Sequence, residues 1–146
     1  MEQDSQRHQI LELTGPHGSL SLQAVLMGDN HEAAYAVIAA ENGGFKGSSS
    51  FHFEATRLAS FVRSLDRLRR GEDHEAVFEL PQYPDCKIIV RPAHLPEFAS
   101  VEGIIGCVIG VAPGLGYRLS VRFGFYFERR QLDQLCNLFW SRSHVG

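Results

Sequence analysis

A change of hydrophobic period at Glu54 constrains this chain more than any other feature of its sequence. Before that residue, Phe51 and Phe53 alternate with polar residues, as expected of a strand with one buried face. After it, apolar residues follow the spacing of an amphipathic helix, at Leu58, Phe61, Val62, Leu65 and Leu68. The predicted helix ends near Gly71, and arginines occupy its last turns, where exposed carbonyl groups favour cations.

Strands separated by glycine-rich turns precede this helix. We expect them at Gln9 to Leu13, Leu20 to Leu26, Tyr35 to Ala40 and Ser50 to Glu54, with Ser48 to Ser50 as the polar start of the last one. Gly15-Pro16-His17-Gly18 and Asn42-Gly43-Gly44 have the residues that tight turns require. Short loops between consecutive strands favour an antiparallel meander.

The same order repeats after the helix. Four more strands are expected, at about His74 to Leu80, Lys87 to Arg91, Val101 to Ala112 and Tyr117 to Phe127. A closing helix would then bury three apolar residues and place a tryptophan at its edge: Leu132, Leu135, Phe139 and Trp140. We therefore predict one α+β domain over residues 1–146, with a flexible segment at 1–8 and two antiparallel four-strand meanders, each followed by a helix (ββββα-ββββα). The helices would pack on one face of the strands and leave the other to solvent or a partner.

The two strand-to-helix junctions resemble each other. Phe51-His52-Phe53-Glu54 and Phe125-Tyr126-Phe127-Glu128 both place alternating aromatic residues and a glutamate before an apolar stripe of the same phase. An internal pseudo-duplication would produce this pattern, but so would any amphipathic strand that runs into a helix. Both interpretations stay open.

Composition places the chain among ordinary globular proteins. Of its 146 residues, 44% are hydrophobic and 21% are charged, which is enough apolar surface for one core and excludes disorder. The formal net charge of -3 is too small to indicate a nucleic-acid binder or an acidic mimic of one.

The compartment is predicted to be the cytoplasm. The first eight residues are polar, without the apolar run of a secretory signal, and no apolar run reaches the roughly 18 residues of a membrane helix. The three cysteines Cys86, Cys107 and Cys136 are odd in number and widely spaced, which fits neither a disulfide framework nor a paired-cysteine zinc site. We expect all three to be reduced, with Cys107 and Cys136 in the core and Cys86 in a loop where it could be exposed.

No local motif for catalysis or metal binding is present. The seven histidines are scattered, and only His52 and Glu54, two apart on one strand face, suit shared metal ligation. A solvated strand edge explains that pair more simply. There is no Gly-x-Ser-x-Gly elbow, and the glycine-rich segment Gly110 to Gly116 lies between two strands without the lysine of a phosphate loop. We expect no catalytic residue, metal or cofactor, and no enzyme activity.

Several apolar segments that cover most of the chain carry a resemblance to a known group of proteins. They are the Leu-x-Leu opening at Leu11 and Leu13, Gly44-Phe45-Lys46-Gly47 before Phe51-His52-Phe53, the Leu58 to Leu68 helix, and the Tyr117 to Phe127 strand with its closing helix. In these positions the chain resembles small bacterial immunity proteins of secreted wall-associated or polymorphic toxin systems, and related domains of unknown function. The resemblance implies a non-enzymatic cytoplasmic protein that binds and neutralises a cognate toxin, with a protein partner, no nucleic acid and no membrane.

A second function stays open beside this one. The chain could be a small-ligand-binding or catalytic domain whose site is assembled from residues distant in sequence. A large closed pocket ringed by polar groups would favour that alternative, whereas a broad exposed sheet face would favour the binding protein.

The first candidate for a partner surface is the mixed face of the Tyr117 to Phe127 strand. There Arg118, Arg122 and Tyr126 are expected to point away from the aromatic core side. Arginine and tyrosine are enriched at binding hot spots, although they are also ordinary on exposed sheets. The second candidate is the outward face of the first helix, with Arg63, Arg67 and Arg70.

Overall fold

Strands form where apolar residues alternate with polar ones, and the helix forms where apolar residues recur every three or four positions. The computed structural model describes residues 8–113 and 115–137, without the side chains of residues 107–112, 115, 117, 118 and 135–137. Its elements are β1 (His8–Gly15), β2 (Gly18–Met27), β3 (Ala33–Asn42), β4 (Phe45–Glu54), α1 (Ala55–Arg69), β5 (Ala76–Glu79), β6 (Cys86–Pro92), β7 (Phe98–Ala112), β8 (Leu115–Glu128) and a 3₁₀ helix (Arg129–Asn137).

Each run of four strands forms one antiparallel sheet in sequence order. Sheet A contains β1 to β4, and sheet B contains β5 to β8. The β1–β2 hairpin turns at Gly15 and Gly18, which pair with each other. At the β3–β4 turn, Gly43 and Gly44 have φ values of 61° and 91°, a region that favours glycine. The predicted pair of four-strand meanders is thus confirmed.

Helix α1 buries the stripe that the sequence predicts. Its buried residues include the five that define the apolar spacing, Leu58, Phe61, Val62, Leu65 and Leu68. At its end the amide of Gly71 donates to the carbonyl of Leu68 (3.0 Å), and the amide of Glu72 donates to that of Arg67 (2.8 Å). Gly71 has φ 81°, so the helix closes with a Schellman motif, as its glycine predicts.

One hydrophobic core joins the two sheets and the helix. The Phe78 ring of β5 lies 5.3 Å from the Phe53 ring of β4 and 5.4 Å from the Phe61 ring of α1, measured between centroids. The turn of the first hairpin packs against β8, because a Cβ on Gly18 would lie 2.5 Å from the Phe125 ring. Inward residues of both sheets and of α1 belong to this single cluster.

Side-chain amides satisfy the backbone at three of the sheet edges. Thr14 on edge strand β1 donates its amide to Gln131 Oε1 (2.9 Å) and accepts from Gln131 Nε2 (2.8 Å). Gly124 on edge strand β8 donates to Asn42 Oδ1 (2.8 Å). Gln82 Nε2 donates to the carbonyl of His52 on edge strand β4 (3.3 Å). Each amide comes from a different part of the fold, so the contacts both cap the edges and connect the elements.

The closing helix of the predicted order is not confirmed. The chain forms the 3₁₀ helix Arg129–Asn137 after sheet B, and Leu132 is buried there as expected. The side chain of Leu135, and residues Phe139 and Trp140, lie outside the described residues. The pseudo-duplication is also unsupported, because sheet B combines a four-residue strand with a fifteen-residue strand, while the strands of sheet A have eight to ten residues.

The expectation of an exposed Cys86 is wrong. Cys86 begins β6 and is 1% exposed, with its side chain on the inward face of sheet B. The turn that precedes it is held by the amide of Cys86, which donates to the carbonyl of Tyr83 (3.1 Å). The loop before β6 therefore ends at Asp85, one residue earlier than predicted, and Cys86 belongs to the strand.

Within the described residues, no helix has the length and apolar character needed to span a membrane.

Candidate functional site

The outward side chains of sheet B form a continuous face on the side opposite the core. In each strand, alternate residues are buried and the intervening ones are exposed or half-buried. The antiparallel register places those intervening residues side by side. We call them, together with Glu75 beside β5, the outer face of sheet B: Glu75, Val77, Glu79, Lys87, Ile89, Arg91, Ser100, Glu102, Ile104, Arg122, Gly124 and Tyr126.

Apolar residues extend across part of this face, from edge strand β5 to central strand β7. Val77 is 37% exposed and pairs with Ile89, which is half-buried. Ile104 is also half-buried and pairs with Lys87 on one side and Arg122 on the other. The side chains of these three aliphatic residues point away from the core, so they stay partly in contact with water in the isolated chain.

Ion pairs surround the aliphatic residues on the β5 and β6 side. Arg91 lies between two carboxylates, 2.9 Å from Glu75 and 3.1 Å from Glu102. Its hydrogen bonds to Glu75, and then to Glu102, raise the pKa of Arg91 above its usual value. Lys87 Nζ lies 3.9 Å from a Glu79 carboxylate oxygen. Two of the three cations on the face are therefore neutralised by neighbours within it.

Arg122 and Tyr126 occupy the β8 side of the face. Both are exposed, Tyr126 to 63%, as the alternation along β8 predicts. Among the described residues Arg122 has no ion-pair partner. Arg118 lies on β8 in register with Val108, and its side chain lies outside the described ones. The participation of these residues in binding stays a prediction.

The helix arginines lie on a different surface. The Phe61 ring of α1 contacts Phe78, an inward residue of β5, so α1 lies on the core side of sheet B. Arg67 Nε donates to Asp73 (2.9 Å), and Arg70 lies 3.2 Å from Asp66 and 3.6 Å from Glu72. Arg63 is exposed. The structure does not bring these arginines together with Arg122 and Tyr126, and local acids already neutralise two of the three.

The residues considered for metal binding or nucleophilic chemistry have other roles. His52 packs its ring against that of Tyr35 on the neighbouring strand, with centroids 4.6 Å apart. Across residues 8–113 and 115–137, no three His, Cys, Asp or Glu side chains converge in a way that could hold a metal ion. Burial raises the pKa of the Cys86 thiol to about 12, which keeps it protonated and unreactive near neutral pH.

Two of the surface depressions that the described residues form are of ligand size. One, of about 430 Å³, is lined largely by charged residues around the 3₁₀ helix, including Arg69, Glu128 and Asp133. Its charges pair with one another: Arg130 lies 2.8 Å from Glu128, and Arg69 lies 3.9 Å from Asp133. The other, of about 330 Å³, lies over the outward residues of sheet A and is lined mainly by serine and alanine.

The aliphatic residues of the outer face were not identified from the sequence as part of a candidate surface, although the alternation along their strands indicates it. Val77 and Ile89 each sit next to a buried residue, Phe78 and Ile88, and strict alternation assigns them to the opposite face. The pairing of Val77 with Ile89, and the position of Ile104 diagonal to Ile89 on the next strand, depend on strand order and register. Alternation within one strand does not contain that information.

No protein-family model, curated protein or solved structure was found to match the chain.

Proposed function

We propose that this chain is a non-enzymatic binding protein, and that it acts as an immunity protein that masks a cognate toxin in the cytoplasm. The observation that carries the proposal is the outer face of sheet B, where aliphatic residues lie between ion pairs on one side and Arg122 with Tyr126 on the other. The resemblance of the apolar segments to bacterial immunity proteins supplies the class of partner.

The composition of this face supports protein binding. Protein interfaces combine an apolar centre with a polar rim and are enriched in tyrosine and arginine. The outer face of sheet B has Ile89 and Ile104 on its two central strands, Val77 on edge strand β5, and charged residues around them. Its twelve residues are fewer than the roughly 20 to 30 that one side of a stable interface contains. The partner is therefore expected to reach beyond the sheet onto neighbouring loops.

The depression near the 3₁₀ helix gives less support to a small-ligand site. A specific pocket usually directs a few unpaired polar groups at its ligand. In this depression Arg129 Nη2 donates to the carbonyl of Leu68 (2.9 Å), and Arg130 pairs with Glu128. Its lining cations are thus engaged by the protein itself.

Co-expression with a panel of bacterial toxin domains, which identifies the cognate toxin domain by rescue of growth, tests the proposal. We expect the chain to restore growth of cells that produce the toxin domain, and the two purified proteins to form a 1:1 complex by calorimetry. An unrescued culture, together with the absence of binding between the purified proteins, would contradict the proposal.

The surface is tested with a double substitution, Arg122→Ala with Tyr126→Ala. Both side chains are exposed, so the unfolding midpoint should stay nearly unchanged while toxin affinity falls. The double substitution of Arg63 and Arg67 to alanine, on the outward face of α1, is the matched control. An unaltered affinity of the first variant would move the interface elsewhere, and a loss in the second would move it to α1.

A further inference from the structure

The charged residues named for the outer face of sheet B are unevenly paired. Three carboxylates, of Glu75, Glu79 and Glu102, accompany three cations, of Lys87, Arg91 and Arg122. Arg91 engages two of the carboxylates and Lys87 the third. The carboxylates of Glu75 and Glu102 therefore outnumber the cation that they share, Arg91, whereas Arg122 on β8 has no ion-pair partner among the described residues.

Of these three carboxylates, that of Glu102 is nearest in register to Arg122, yet it does not pair with it. It lies on β7 opposite Gly124, which makes it a diagonal neighbour of Arg122 on β8. Its carboxylate binds Arg91 at 3.1 Å instead. The residue directly opposite Arg122 is Ile104, which offers no hydrogen-bond acceptor in its side chain. Arg122 is thus a cation set beside an aliphatic residue, with its guanidinium available.

We infer that this face recognises an acidic residue within an apolar patch of a partner protein. The acidic residue places its carboxylate on Arg122, and the apolar side chains around it contact Ile104, Ile89 and Val77. This inference rests on the proposed function. A carboxylate matches the planar guanidinium with two parallel hydrogen bonds. Apolar contacts around it exclude water, which strengthens the charge pair.

The same charges disfavour a polyanionic partner such as nucleic acid. Nucleic-acid binding depends on several free cations that neutralise successive phosphates. On this face Lys87 and Arg91 are already paired, and Glu75, Glu79 and Glu102 would repel a phosphate backbone. A single carboxylate with apolar surroundings meets one free cation without approaching those acids.

The test uses calorimetry, with the toxin domain against which the chain restores growth as the probe. Arg122→Gln removes the charge, and we expect it to weaken binding by about 10- to 100-fold, since truncating one partner of a desolvated charge pair is costly. Arg122→Lys keeps the charge but loses the paired hydrogen bonds, so its affinity should be intermediate. Arg57→Gln is the matched control, because Arg57 is also exposed but lies on α1; it should change affinity less than about twofold. All variants should keep the wild-type unfolding midpoint.

Exchanging the charges of the two proteins identifies the carboxylate of the toxin domain that binds Arg122. Arg122→Glu should abolish binding, and replacement of the correct aspartate or glutamate of the toxin domain by arginine should restore it in the double variant. Wild-type binding that is insensitive to Arg122→Gln would overturn this inference and leave the proposed function standing. Absence of wild-type binding would overturn the proposed function and this inference with it. Tight binding of a single-stranded DNA oligonucleotide that competes with the toxin domain would also overturn the inference.

Discussion

Cys86 illustrates how one position depends on its neighbours in space. Its sequence context, after Pro84 and Asp85, is that of a loop, yet its side chain faces the core at the start of β6. Removal from water disfavours the thiolate, and burial raises the pKa of the Cys86 thiol from 9.0 to about 12. The residue packs in the core as a small apolar side chain.

Alkaline unfolding tests this burial. Below pH 9 the thiol is protonated in the folded and unfolded chains, so its contribution to stability is fully present. As pH rises from about 9 towards 12, only the unfolded chain loses the proton, and stability should fall by about 1.4 kcal/mol per pH unit. Urea unfolding at pH 7 and pH 10.5 should show a larger loss for the wild type than for Cys86→Ala. Equal losses would show that the thiol ionises as easily in the folded protein as in the unfolded chain.

Phe61 and Arg67 test the orientation of α1. Phe61 is 1% exposed and touches the Phe78 ring, so Phe61→Ala should lower the free energy of unfolding by about 3 to 5 kcal/mol. The side chain of Arg67 is 44% exposed, and its pair with Asp73 is at the surface, so Arg67→Ala should cost less than about 1 kcal/mol. Denaturant titration of the two variants measures both values. Similar shifts of the unfolding midpoint would contradict the burial of this stripe.

At the scale of single elements, the strand edges explain why the 3₁₀ helix sits where it does. Gln131 on that helix makes two hydrogen bonds to the backbone of Thr14, 117 residues away in sequence. Edge strands with unpaired backbone groups are templates for the addition of further strands. The glutamine amide takes the place of a neighbouring strand at this position, and Leu132 beside it is fully buried.

Gln131→Ala should expose the backbone of Thr14. We expect the loss of two hydrogen bonds at a half-buried side chain to lower stability by about 1 kcal/mol and the Thr14 amide to exchange with solvent faster. Nuclear magnetic resonance of amide exchange measures the second effect directly. Gln134→Ala, at an exposed glutamine of the same 3₁₀ helix, is the control and should change neither value. Unchanged protection of Thr14 in Gln131→Ala would show that other groups cap this edge.

Strand lengths were only partly predictable from the sequence. The prediction for β4 began with the polar residues Ser48 to Ser50, whereas the strand begins at Phe45. Phe45, Lys46 and Gly47 follow directly after the turn glycines, and no hydrophobic alternation marks them as a strand. They extend because each pairs with a residue of β3, from Asn42 to Ala40. Pairing partners, which lie outside the local window, decide the length of such an edge strand.

At the scale of the whole molecule, the two sheets are predicted to unfold together. The aromatic contacts of Phe78 with Phe53 and Phe61 connect sheet B to sheet A and α1, and the inward residues form one core. We expect amide exchange in low denaturant to give the same opening free energy for Leu22 in β2 and Ile88 in β6, both fully buried. A clearly lower value for one of them would show that the sheets are separate cooperative units.

The candidate surface was predictable in part. Alternation along β8 predicted that Arg122 and Tyr126 would face away from the core, because side chains of a strand point alternately to opposite sides. It did not predict that Ile104 would lie beside Arg122, or that Glu102 would be drawn to Arg91. These contacts depend on register between strands and on competition among several charges.

The sequence by itself determined the elements that local periodicity encodes: α1 with its buried stripe, its glycine stop at Gly71, and the sequential order of the strands. Apolar spacing contains that information because burial of one face is the main source of stability for an amphipathic element. Only the tertiary structure decided the burial of Cys86, the 3₁₀ conformation after β8, and the grouping of charges around Arg91. Each of these depends on contacts between residues distant in sequence, whose free energy no local pattern records.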